Sequence, residues 1–164
     1  MKLESLHDLY MEELADIYSA EQQLVKALPK MAEAAEHPRL RQAFEDHLDE
    51  TKGQVNRLET IFNRLEKKPK AKTCQAMKGL IEEGGAMAKT SGDATVIDAG
   101  LIGSSQRVEH YEIAAYGCAR TYAELLGDYP AAQALEASLE EEKQADETLN
   151  ELAKQVINVQ AARA

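Results

Sequence analysis

Between Leu135 and Ile157 the chain reads LEASLEEEKQADETLNELAKQVI. Leu135, Leu139, Leu149, Ala153 and Ile157 recur at the three-and-four spacing of one helical face. At about 100° per residue, Glu142 falls about 10° from the centre of that face, and Asp146 lies on it one turn later. Two carboxylates therefore stand where a core helix carries Leu. The same pattern appears near the N-terminus, where Leu14, Ile17, Tyr18, Leu24, Val25 and Leu28 define a core face with Glu21 at its midline. A bare buried carboxylate is costly unless a proton, a cation or a metal compensates it. Several such groups aimed at one core predict a bound cation.

Composition narrows the class. A chain of 164 residues is expected to form one domain, residues 1–164, with a sizeable core. It has no Trp, two Phe and four Pro, and it is rich in Ala, Leu, Glu, Gln and Lys, which favours an all-α protein. A formal charge of −10 argues against nucleic acid and anionic membranes as partners. After Met1-Lys2 the chain turns acidic at once, and the longest uncharged apolar run is Ile113 to Ala119, so neither a signal peptide nor a membrane span is expected. Cys74 and Cys118, without a C-x-x-C, read as reduced thiols with no disulfide partner and suggest a cytoplasmic location.

Punctuation divides the chain into helices. The first is expected from about Ser5 to Glu36, with Pro29 as a candidate kink. Pro38 opens the second, which runs to the stop at Lys67-Lys68-Pro69-Lys70. A shorter amphipathic helix follows from Cys74 to Ala88. The third long helix spans Ala94 to Leu126 and ends at Gly127, and the fourth runs from Pro130 to about Val159. Helices one and two, and helices three and four, are joined by short connections and form antiparallel hairpins. The long segment between helices two and three carries its own helix and can return the chain along the bundle. The expected fold is a ferritin-like four-helix bundle whose helix 2–3 crossover contains a short extra helix; an up-down-up-down bundle is the alternative.

The middle helices add further polar intrusions. On helix two, Leu40, Phe44, Leu48, Thr51, Val55, Leu58 and Phe62 form the inner face. His47 lies on it, Gln54 near its edge and Glu50 at the edge. On helix three, Glu112 is central and Glu109 off-centre but inside, whereas His110 points away. Asp49, Lys52, Glu140, Glu141 and Glu147 face outward. A single carboxylate (Glu21), a pair at Glu109 and Glu112, and pairs at Glu50/Gln54 and Glu142/Asp146 match the ligand scheme of di-iron and di-manganese bundles. The candidate metal residues are thus Glu21, Glu50, Glu109, Glu112, Glu142 and Asp146, with His47 and Gln54 as possible additions. Oxygen-rich ligation of two ions suits iron or manganese.

The segments Tyr18–Leu24 (YSAEQQL), His47–Thr51 (HLDET), Val108–Gly117 (VEHYEIAAYG) and Leu139–Lys143 with Asp146 resemble the YciE/YciF ferritin-like stress proteins. The resemblance runs over nearly the whole chain. It implies a rubrerythrin-like bundle, a homodimer and a bacterial stress-response role, and it implies the same six metal residues. The Glu109/Glu112 spacing is also similar to the helix-three carboxylate pair of rubrerythrins. One departure stands out. The chain's single Glu-x-x-His is Glu4 to His7, away from the bundle centre; Glu50 is followed at i+3 by Gly53 and Glu142 by Ala145. Either Gln54 and Asp146 replace the histidines, or the site holds one metal or none.

Three functions fit these residues. One is a di-metal protein reacting iron or manganese with oxygen or peroxide. Another is an iron-binding or storage protein. The third is a metal-free dimeric scaffold or adaptor whose relic carboxylates bond to Tyr18, Tyr116 and Gln54. Within these, His47 on an apolar face reads more readily as a hydrogen-bonded core histidine than as a ligand.

Overall fold

A computed structural model describes residues 3–69 and 72–164. Met1-Lys2 and the Lys70 of the basic helix stop lie outside the described residues. The elements are α1 (Leu6–Ala34), α2 (Pro38–Arg64), α3 (Gln75–Met87), α4 (Ala94–Leu125), α5 (Tyr129–Leu152), a π-helical turn (Ala153–Ile157) and α6 (Asn158–Ala161), with no strand among the described residues.

Each start is chemically marked. Ser5 accepts from the Asp8 N–H to cap α1, and Asp93 accepts from the N–H groups of Thr95 and Val96 to cap α4. Asp128 caps α5 by accepting from the Ala131 N–H, and Pro38 occupies the first turn of α2. Gly127 adopts φ +77°, the left-handed value that a side chain would resist, and so turns α4 into α5. α1 continues through Pro29, which lies on its exposed side.

Two apolar clusters define the topology. One joins Tyr10, Leu14 and Ile17 of α1 to Leu58, Ile61 and Phe62 of α2, to Ala115–Ala123 of α4 and to Ala131–Leu139 of α5. The other joins Ala32 and Ala35 to Leu40 and Phe44, Leu101 and Ile102, and Leu149–Ile157. The start of α1 thus shares one end of the bundle with the end of α2, the end of α4 and the start of α5. α2 and α4 run parallel, as do α1 and α5. This is the crossover topology and excludes up-down-up-down. The crossover helix α3 lies against α1 and α4, with Cys74 and Met77 closing over Ala20, Leu24, Leu28 and Val108. A polar layer lies between the two apolar ends, and every long helix contributes to it.

Candidate metal centre

Glu21 of α1, His47 of α2, Glu109 and Glu112 of α4 and Glu142 of α5 converge at mid-bundle, none more than 4% exposed. One donor atom each from His47, Glu109, Glu112 and Glu142 falls within a sphere of contacts no wider than 4.8 Å. The His47 Nε2 stands 3.4 Å from Glu109 and 3.9 Å from Glu142, while Nδ1 is 3.6 Å from Glu50. Glu21 accepts a short hydrogen bond from the Tyr116 hydroxyl and feels the charge of Glu142.

The polar layer is held from outside. The Ser105 hydroxyl donates to Glu109 at 3.0 Å, and the Thr51 hydroxyl donates to the His47 carbonyl at 2.7 Å. Gln54 Nε2 donates to Glu142 in a short bond and to Glu141 at 3.1 Å. Arg57 grips Glu141 with two bonds of 2.6 and 2.5 Å and donates to Ser138 at 3.2 Å. A chain of bonds therefore runs from a half-buried guanidinium to the buried Glu142 carboxylate. Such supporting partners orient metal ligands and tune their basicity.

The electrostatics are those of crowded acids. Burial first, then the charges of Glu21, Glu142 and Glu109, hold Glu112 well above the ordinary carboxylate range. Burial also lifts Glu142, against the opposing pull of His47, and pushes Glu21 up to about 8 and Glu109 up to about 7. Burial lowers His47, but Glu50, Glu142 and Glu21 outweigh it and leave the imidazole above its usual value. Tyr116 is raised by burial and by Glu21.

The residues fit a divalent cation. Buried polar atoms are ordinarily hydrogen-bonded. Here Glu21 Oε2, both His47 ring nitrogens, Gln54 Oε1, Glu109 Oε2, both oxygens of Glu112 and Glu142 Oε2 have no such partner. A set of carboxylates with one imidazole suits iron or manganese better than a thiolate-seeking ion. A bound cation also reverses the local pKa logic by favouring ionised carboxylates.

Of the six carboxylates predicted from the sequence, the fold brings Glu21, Glu109, Glu112 and Glu142 together. Glu50 stays at the rim, its side chain 41% exposed. Asp146 faces the outer edge of α4, accepting from Gln106 at 3.0 Å and lying 3.4 Å from the exposed His110. Gln54 is inside, as the donor to Glu142. His47, expected as a satisfied core residue, has neither nitrogen hydrogen-bonded and joins the cluster. Glu141, expected as solvated surface, is 26% exposed and locked to Arg57. Sequence reasoning also missed Ser105; its position four residues before Glu109 was the available signal.

A four-helix bundle with one long crossover and a carboxylate layer at its centre defines the ferritin-like class. The chain belongs to a family described as a domain of unknown function (DUF892), whose family model matches residues 5–162. It is 43% identical over 162 residues to Protein YciF of Escherichia coli strain K12, covering 98% of each chain. The crystal structure of that stress protein superposes with a TM-score of 0.92, covering 95% of this chain and 99% of the other. A Rhodopseudomonas palustris protein described as structural is 44% identical, with a TM-score of 0.87 over 91% of this chain and 95% of its own. A Xanthomonas campestris protein at 22% identity shares the fold, with a TM-score of 0.73 over 97% and 98% of the two chains.

Proposed function

We propose that the protein is a di-metal carboxylate protein of the bacterial stress response, binding two iron or manganese ions at Glu21, His47, Glu109, Glu112 and Glu142 and serving reaction with oxygen or peroxide. The observation that carries this is the concentration of unpartnered carboxylate and imidazole atoms in one buried layer. Four carboxylates also carry the charge that would neutralise two divalent ions, which supports two ions rather than one. Bound there, such ions supply redox chemistry toward small oxidants. The chain's own residues hold and orient them: Tyr116 steadies Glu21, Ser105 steadies Glu109, and Gln54 with Glu141 and Arg57 steadies Glu142. Glu50 and Asp146 are the outer members, within reach of the layer but not inside it.

Elemental analysis of protein purified without an affinity tag tests this. About two iron or manganese atoms per chain are expected. An absence of metal after anaerobic incubation with Fe(II) or Mn(II) overturns it and favours a metal-free role as a scaffold, in keeping with the Rhodopseudomonas relative's description as a structural protein.

A further inference from the structure

The crossover covers one side of the bundle. α3 packs on α1 and α4 and seals that side over the polar layer. On the opposite side, between α2 and α5, a cleft of about 130 Å³ reaches inward. Its floor is the buried pair His47 and Glu109. Its mouth carries exposed Asp46 and half-exposed Glu50 from α2 and exposed Gln144 from α5. The facing walls include Ala43 and Ala145, whose single methyl groups leave the passage open.

We propose that this α2–α5 cleft is the port through which a hydrated divalent cation, and small polar reactants after it, reach the buried carboxylates, with Ala43 and Ala145 setting its width. The proposal rests on metal binding at the cluster. Asp46 and Glu50 place negative charge at the mouth of a concave, low-dielectric passage, where it concentrates cations. His47 bridges the rim and the interior, its ring 3.6 Å from Glu50 on one side and 3.4 Å from Glu109 on the other, with neither nitrogen engaged in a hydrogen bond. An ion passing inward therefore meets a carboxylate, an imidazole and a carboxylate in succession. The cleft has room for several waters, each needing roughly 10–15 Å³, so the ion can shed its shell in steps. The volume is well below the roughly 300 Å³ at which sites for organic ligands begin, so the port admits only small species. A second cleft, lined by Leu3, His7, Met11 and Phe62, opens at one end of the bundle and touches none of the buried cluster.

The test compares loading rate with loading capacity. Apo protein is mixed anaerobically with Fe(II), a strong chelator is added at set times, and retained iron is measured; capacity is taken after overnight equilibration. Ala145→Phe and Ala43→Phe are expected to load more slowly by about tenfold or more at unchanged capacity, since a closed passage makes uptake wait on helix motion. Ala137→Phe, exposed on α5 outside the cleft, is expected to match the parent. Asp46→Lys is expected to slow loading several-fold, with the difference shrinking at high salt. If the parent loads and all the cleft variants load at its rate, the port is wrong and the metal site stands. If the parent binds no Fe(II), the metal site itself is wrong and the port falls with it. Should a Phe variant lose capacity through distortion, Asp46→Lys decides: a parental rate at low salt overturns the port.

Discussion

At Glu142 a fully buried carboxylate accepts from Gln54 and lies 3.9 Å from the His47 imidazole, with its second oxygen unpartnered. Replacing it by Leu removes a ligand and a buried charge, and it restores the apolar repeat of Leu135, Leu139 and Leu149. Such replacements are often neutral or stabilising. Glu142→Leu is therefore expected to abolish metal binding while leaving the apo melting temperature unchanged or higher. Calorimetric titration with Mn(II) and a thermal melt together check this. The control is Glu147→Leu at an exposed position of the same helix, expected to leave binding intact. Glu141 is not a neutral control, because Arg57 and Gln54 both bond to it. Position on the helical wheel was sufficient to find Glu21, Glu112 and Glu142. It could not reveal that His47 lacks a partner, because a histidine's hydrogen bonds depend on what three other helices present to it.

Among the elements, the α1–α2 turn is fastened by one side chain of α4 and the crossover by two of α1. Asp98 of α4 is 2% exposed, and its two oxygens accept from the backbone N–H groups of Glu36 and His37 at 3.0 and 2.8 Å. One residue thereby satisfies the α1–α2 turn and ties it to a third helix. Hydrogen bonds to charged groups contribute roughly 1.5–3 kcal/mol each, so Asp98→Ala is expected to cost about 3 kcal/mol, read as a lower urea midpoint. The crossover is pinned similarly: the Cys74 N–H donates to Ser19, and Gln23 donates to the Cys74 carbonyl. At the other end, α5 does not run unbroken to Val159 but widens into the π-turn at Ala153–Ile157. Leu149, Ala153 and Ile157 are four residues apart, a spacing that drifts about 40° per step on an α-helix. The wider turn between Ala153 and Ile157 offsets that drift, and both residues are buried.

For the whole molecule, the polar layer sets the dependence of stability on pH and metal. Burial pushes Glu21 up to about 8 and Glu109 up to about 7, against 4.5 when unperturbed. Groups with raised folded-state pKa values stabilise at low pH and lose that contribution as pH rises through the folded values. His47, also raised, acts in the same sense. The apo protein is expected to lose thermal stability steadily from about pH 5 to about pH 8. Saturating Mn(II) should raise the melting temperature most at the alkaline end, where the carboxylates are ready to bind. A melting temperature insensitive to both would show the acids to be internally compensated. The assembly expected is a homodimer, giving a light-scattering mass of twice 18.1 kDa; a shell of twelve or twenty-four chains would instead indicate iron storage. Among the described residues no helix is long and apolar enough to cross a membrane.

The helices, their caps and the presence of misplaced acids were determined by the sequence alone, because caps and hydrophobic periodicity are local properties readable within a few turns. Ser5, Pro38, Asp93 and Gly127 act on neighbours two to four residues away, and the fault at Glu142 is visible against Leu139 and Leu149. Two short connections and one long one favoured the crossover over an up-down-up-down bundle, and the two apolar end clusters decided it. Tertiary structure decided which acids meet. Glu50 sits at the edge of its helical face, where a small rotation about the helix axis sends a carboxylate inward or outward, whereas Asp146 lies on the inner face of α5 and is drawn aside only by partners on α4. That rotation is set by packing across the bundle. The same packing turned Asp146 to Gln106 and His110, left Glu50 at the mouth of the cleft, and carried His47 to within 3.4 Å of Glu109. Placing α3 over α1 and α4 was likewise a matter of contacts distant in sequence, and the cleft whose lining includes His47 and Glu109 lies on the α2–α5 side.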